Sequence, residues 1–286
     1  MHIPVALVCL GLLWNAPARE IGVAASASDL HANPRLVAER PVVMPGETVW
    51  LAIDFTIDDG WHTYWPGIND TGFALDTTIE ASRNVDVGDP VWAAPRRYVT
   101  TGDILDHTFD EHMTVLLPVT VSPEARLGDQ ITLKINGRWL VCQNACVLES
   151  ADLAITIPVS DALSKPSREV SALFERARRR LPEPVTDETP AEIELAGNTL
   201  RVTSNIARRL AFYPWDDSRR PRDLLTQGAS ETGTLVIDFR DSDKPVRGVL
   251  EIWTSDDESK VYAIEIPEPT AHTPTGSSES TDTTRP

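Results

Sequence analysis

Sulfur is scarce in this chain. Its 286 residues include three cysteines and three methionines. That excludes a scaffold stapled by many disulfides, a Met-rich metal tract, and the four-ligand spacing of a zinc site. Basic residues are short as well, with 26 Lys and Arg against 43 Asp and Glu and a net charge of −17. A surface of that sign releases no counterions from a polyphosphate, which argues against nucleic acid as a partner. Beyond the first residues no apolar run approaches 18 residues, so no membrane span is expected in the mature chain. Ser-His-Asp signatures, glycine-rich phosphate loops and paired catalytic carboxylates are also missing. Asp58-Asp59 and Asp216-Asp217 read as turn and loop residues.

What is present begins with a leader. Val5 to Trp14 is apolar and uncharged, the length of a signal-peptide core and too short to cross a bilayer. Small-residue sites follow at Ala16-Pro17-Ala18 and Ala25-Ser26-Ala27, so residues 1–27 are expected to be a signal peptide and the protein to be exported and periplasmic. Val8 before Cys9 argues against a lipid anchor. Cleavage would remove Cys9 and leave Cys142 and Cys146, which an oxidising compartment is expected to pair.

From residue 28 to 160 the apolar residues alternate in short runs. Val49, Leu51, Ile53, Phe55 and Ile57 form one such run; Met113, Val115, Leu117, Val119 and Val121 form another. Period two with frequent turn residues predicts seven or eight strands of an all-β sandwich. Residues 100–111 read as a polar loop, Asn136-Gly137 as a turn or bulge, and Pro118 as an edge or bulge position. The period then changes. Val170, Leu173, Phe174, Ala177 and Leu181 share one helical face, predicting a linker helix over 164–181 within a linker of 161–189, with Ser164 as cap. Its Arg176, Arg178, Arg179 and Arg180 read as a solvated basic face, or as a docking patch for an acidic partner. Residues 190–267 return to strands and predict a second small β-sandwich. Residues 268–286 are Thr, Ser, Pro and Glu and are expected to be disordered.

The chemistry concentrates at Arg138-Trp139-Leu140-Val141-Cys142-Gln143-Asn144-Ala145-Cys146. A bridge closing so short a loop stabilises by only about 2 kcal/mol in the chain-entropy picture, and tight closure favours easy reduction. Both points favour redox exchange over a structural staple. Arg138 is the nearest cation and would favour a thiolate, whereas Glu149 would oppose one. Trp139 would either limit access to the pair or serve as a core tryptophan. A rival use of the same residues is soft ligation of Cu(I) by Cys142 and Cys146, with His112, Met113 or His62 as further ligands. A non-redox binding module with a structural disulfide is the third reading.

Residues 37–159 resemble the N-terminal domain of the thiol:disulfide interchange protein DsbD, in particular the type found in the copper-sensitivity suppressor ScsB. The resemblance rests on Gly60-Trp61-His62-Thr63-Tyr64-Trp65, Asp70-Thr71-Gly72, Val91-Trp92-Ala93-Ala94-Pro95-Arg96-Arg97-Tyr98, Val115-Leu116-Leu117-Pro118-Val119, and Trp139 through Cys146 to Glu149-Ser150. It implies two immunoglobulin-like β-sandwich domains joined by a short helix, a periplasmic location and a link to copper tolerance. It also implies that Cys142 and Cys146 are the redox pair of a protein-disulfide-reductase-like electron-transfer module working without a cofactor. The implied partners are a membrane thiol reductase and thioredoxin-like periplasmic proteins. A loop is expected to cap the disulfide, either Tyr64 to Phe73 or Asp106 to His112.

Overall fold

A computed structural model describes residues 30–162, 164–240 and 243–268. The expected signal peptide and the tail beyond residue 268 lie outside the described residues. The chain is mostly β. The first eleven strands are β1 (Ala32–Ala38), β2 (Thr48–Ile57), β3 (His62–Tyr64), β4 (Asp76–Ala81), β5 (Val85–Val87), β6 (Val91–Trp92), β7 (Arg96–Thr100), β8 (Ile104–Asp110), β9 (His112–Val121), β10 (Gln130–Cys142) and β11 (Cys146–Pro158). They form two sheets. One runs β1-β2-β9-β5, with β6 also on β9. The other runs β11-β10-β3-β8-β7, with β4 also on β10. The alternating apolar residues of β2 and β9 meet Ile131, Leu133, Ile135, Trp139 and Val141 of β10 in one buried core.

Three local readings change. Residues 104–110 are a strand and not a polar loop. The alternation is disguised because Asp106, His107 and Thr108 are all buried, each with at most 3 % exposure. The turn into β8 uses Gly102 and Asp103 at φ of 93° and 61°, and the polar residues read as loop signals supply only that turn. β10 runs through Asn136-Gly137 without a break, as its pairing with β11 shows. Pro118 lies mid-strand in β9, opposite the gap between β5 and β6, where no ladder N–H is needed from it. Its carbonyl accepts from Gly88 N at 2.9 Å.

The helix α1 (Arg168–Arg178) is shorter than predicted and is capped by Ser167, whose side chain accepts from Val170 N, not by Ser164. It is also more than a linker. Leu173, Phe174 and Ala177 pack on Ala52 and Leu116, closing the outer face of the β2–β9 sheet. Burying Leu173 and Phe174 stabilises that contact by roughly 1.5–3 kcal/mol each. Three of the four arginines are engaged within the fold. Arg176 lies 3.6 Å from the buried Asp54, Arg178 pairs with Glu39 at 2.7 Å, and Arg180 pairs with the buried Glu251. Those three are thus partnered by carboxylates of the chain itself, and Arg179 is exposed.

The remaining strands are β12 (Glu183–Pro184), β13 (Glu192–Ala196), β14 (Thr199–Thr203), β15 (Arg209–Pro214), β16 (Ala229–Ser230), β17 (Thr234–Asp238), β18 (Val246–Trp253) and β19 (Ser259–Ile266), with the short helix α2 (Leu224–Gln227) before β16. Sheets β12-β19-β18-β15-β16 and β13-β14-β17 enclose a second core. The unbroken apolar run Leu210 to Trp215 has a physical cause: β15 is covered on both faces. Leu210 and Phe212 face the second core, while Ala211 and Tyr213 join the first.

His107 of β8 lies at this seam, fully buried. Its Nδ1 is 2.8 Å from Ile68 O, and its ring meets Tyr213 edge-on at 5.3 Å. Burial depresses its pKa from 6.5 to about 4, against the smaller opposing effect of the Ile68 carbonyl. Between those values the unfolded chain binds more protons than the folded one. Stability therefore falls as pH drops through that window and levels off below about 4. From pH 7 to pH 5 the loss traceable to this group is about 2 kcal/mol. Urea unfolding of wild type and His107→Gln at the two pH values checks it: the variant should lack that part of the pH dependence.

Candidate redox site

β10 and β11 are one long hairpin, and the cysteines close its tip. Cys142 and Cys146 are direct cross-strand partners, bonded as a disulfide with Cα atoms 4.1 Å apart. Gln143, Asn144 and Ala145 make the turn, with Gln143 N donating to Ala145 O at 3.3 Å. Gly60, at φ 78°, brings the end of the β2–β3 connection against the Gln143 side chain. The two sulfur-bearing residues differ sharply in access. Cys142 is 3 % exposed, whereas Cys146 is open to solvent.

β3 buries Cys142. Thr63 pairs with Val141 and His62 with Cys142, so His62 and Tyr64 lie on the sulfur face of the sheet and Thr63 on the core face. The Tyr64 hydroxyl is 3.0 Å from Cys142 Sγ and 3.8 Å from Cys146 Sγ. A third neighbour of the hydroxyl, Thr71 Oγ1, lies 3.4 Å away. Thr71 itself is held by Asp106, which accepts its N–H at 3.0 Å and its hydroxyl at 2.6 Å. The Thr71 hydrogen is thus committed to the carboxylate, and the Tyr64 hydrogen is left for sulfur. Burial raises the Tyr64 pKa above its ordinary value, so the phenol remains a donor through neutral pH. Gly72 lies flat on the Tyr64 ring; a Cβ there would overlap the ring atoms.

His62 is 8 % exposed and sits between aromatic neighbours, 5.5 Å from the Tyr64 ring and 4.6 Å from the Tyr98 ring. Burial lowers its pKa, opposed by Asp106 and Asp110, which keeps the imidazole neutral at pH 7. Around the hairpin tip the exposed large apolar side chains are Val147 and Leu148, and Tyr98 and Val99 of β7 are exposed as well.

The sequence-derived candidates divide. Cys142, Cys146 and Tyr64 come together. Phe73 follows Gly72 in the covering loop and is 47 % exposed. Trp139 is a core residue: its ring meets Phe55 edge-on at 4.9 Å, and its Nε1 donates to Glu149 at 3.0 Å. Arg138 does not serve the sulfurs. It is on the outer face four residues along β10 and pairs with Asp76 at 3.1 Å. Glu149 does not oppose a thiolate either, because it points inward with Trp139. Its carboxylate is satisfied by three N–H donors, from His31, Ala32 and Trp139. Of the residues named for copper, His62 is the cross-strand partner of Cys142, and His112 and Met113 are on another strand. His112 and Met113 are adjacent on β9 and so face opposite ways. Met113 is in the core, where its sulfur accepts from Thr63 at 3.4 Å, and His112 is exposed. Among the described residues no group of three His, Cys, Asp or Glu is placed to hold a metal ion.

Of the two expected caps, the loop after Tyr64 covers the site through Thr71 and Gly72, and β8 supports it through Asp106. Thr71 and Asp106 fall inside the two expected caps but had no assigned role, and Tyr98 had none either. Asp70-Thr71-Gly72 and Tyr98 stood in conspicuous motifs, but nothing in their spacing says that they converge.

The comparisons agree with this geometry. The family described as thiol:disulfide interchange protein DsbD, N-terminal, matches residues 33–158. No curated protein sequence matches the chain. Among solved structures, the N-terminal periplasmic domain of ScsB from Proteus mirabilis aligns over 84 % of this chain and 95 % of its own, at 16 % identity and a TM-score of 0.53. The Neisseria meningitidis DsbD N-terminal domain in the reduced form aligns over 48 % of this chain and 91 % of its own, at 12 % identity and a TM-score of 0.28. With the cysteine hairpin, its covering tyrosine and the family match in one segment, residues 33–158 are a DsbD N-terminal domain, in a chain with the fold of the ScsB periplasmic domain.

Proposed function

We propose that this chain is a periplasmic thiol–disulfide exchange module that passes electrons between a membrane thiol reductase and thioredoxin-like partners, using the two sulfurs alone. One observation carries the reading: the bonded sulfurs differ in exposure, and the buried one has a phenol hydroxyl 3.0 Å away. The family of residues 33–158 and the periplasmic origin of the similar ScsB domain support it. On this reading the two pairs of sheets are immunoglobulin-like sandwiches, of which the first holds the chemistry.

The exchange runs in balanced steps. A donor thiolate attacks Cys146 Sγ, the only sulfur within reach, and the Cys142–Cys146 bond breaks. Its electron pair stays on Cys142 Sγ, where the Tyr64 O–H stabilises the thiolate. The donor's second thiol then attacks the mixed disulfide and leaves as the donor disulfide. Two electrons and two protons have moved, and the module holds two thiols. Onward transfer reverses the roles: the Cys146 thiolate attacks a partner disulfide, and Cys142 resolves the mixed species. Thioredoxin is a suitable probe. Stoichiometric reduced thioredoxin should convert the pair to two thiols per chain, read as the mass shift after maleimide labelling. A bridge that stays unlabelled after complete thioredoxin contact would overturn the assignment.

A further inference from the structure

The loop that covers the disulfide is not held by its own sandwich alone. Trp65 follows Tyr64 directly and is fully buried. Its ring lies 4.1 Å from that of Trp215 and 6.5 Å from that of Tyr213, both at the end of β15. Gly67 forms a bridge with Trp215, and Ile68 N donates to Pro214 O at 3.0 Å. Gly67 has no room for a side chain, since a Cβ would strike the Trp65 ring and the Pro214 carbonyl. From there the contacts run unbroken towards the sulfur. Ile68 O and Asn69 Oδ1 accept from His107 at 2.8 and 2.7 Å. Asp70 exchanges hydrogen bonds with the Leu105 backbone in both directions. Thr71 is held by Asp106 and touches the Tyr64 hydroxyl.

A second clamp holds the two units in place. Arg180 pairs with buried Glu251 of β18 and also donates to Ala94 O and Pro95 O at 3.3 and 3.2 Å. Glu251 further accepts from Tyr213 and Ser259 at 2.8 and 2.7 Å. The β15 end that touches the loop is thus fixed against the first sandwich from both sides.

We propose that the second β unit is part of the redox site: Pro214 and Trp215 are positioning residues that seat Gly67–Ile68, and through this loop they hold the Tyr64 hydroxyl on Cys142 Sγ. The inference rests on the exchange function proposed above and assigns a role to a region with no cysteine. Access does not enter, because Cys146 is already exposed. Loosening the seam should therefore slow reduction by misplacing Tyr64, and should not speed it by opening the site.

The test measures the rate of reduction of the full chain by dithiothreitol for wild type, Trp215→Ala, Tyr64→Phe and the double variant, with folding checked by urea unfolding. Residues in one hydrogen-bonded network couple, so Trp215→Ala is expected to lower the rate about fivefold in wild type and less than about twofold once Tyr64 is Phe. Trp215→Phe, which keeps a ring on Trp65, should restore the rate. Should Trp215→Ala fail to fold, Gly67→Ala carries the same comparison. An unchanged rate in a folded seam variant, or equal losses with and without the Tyr64 hydroxyl, would overturn the positioning role. A wild-type disulfide that dithiothreitol cannot reduce would instead overturn the exchange function itself.

Discussion

Cys142→Ser, reduced and mixed with an oxidised thioredoxin-fold protein, is expected to accumulate a mixed disulfide through Cys146. Cys146→Ser under the same conditions should accumulate none. The difference follows from exposure. Cys146 stands open at the hairpin tip, whereas Cys142 is 3 % exposed beneath His62 and Tyr64. With Cys142 removed, the attacking sulfur remains but the resolving one is gone, so the reaction halts after its first covalent step. Non-reducing electrophoresis reads the outcome as all or none. Trapping through Cys142 in the Cys146→Ser chain would mean that the buried sulfur is the attacking one and that the proposed order of events is reversed.

Tyr64→Phe is expected to slow reduction of the disulfide by roughly 10- to 100-fold, because a hydrogen bond to a charged group contributes about 1.5–3 kcal/mol. The ring that packs under Gly72 is retained, so packing is preserved and only the donor is lost. The effect should persist at pH 9 to 10, since burial holds the Tyr64 phenol protonated above its ordinary range. Stopped-flow reduction by dithiothreitol as a function of pH measures this. A variant as fast as wild type would remove the hydroxyl from the chemistry and leave Tyr64 as packing alone.

Much of this site was legible in the sequence, and its limits have physical causes. The strands of β2 and β9 announced themselves because one face meets the core and the other is polar or covered by α1. The cysteine pair stood out because so few sulfurs are present. β8 did not, since Asp106, His107 and Thr108 are buried by partners far away in sequence and imitate a loop. Arg138 and Glu149 were judged by proximity along the chain. In a strand, however, a neighbour's side chain can point to the other face, as Glu149 does. The same rule separates His112 from Met113, two of the residues named for copper. Arg176, Arg178 and Arg180 looked free because their partners, Asp54, Glu39 and Glu251, are far away in sequence. Contacts such as Trp65 on Trp215 join residues 150 positions apart, and no local pattern encodes them.

The most direct test of a redox role for Cys142–Cys146 is the equilibrium between disulfide and dithiol. The full chain is equilibrated in a graded dithiothreitol series and the free thiols are counted by alkylation. We expect a reversible two-electron transition with a midpoint above about −300 mV, in the range where thioredoxin-like partners exchange electrons. A midpoint below about −300 mV would mark a bridge that such partners leave intact, and would contradict the exchange function.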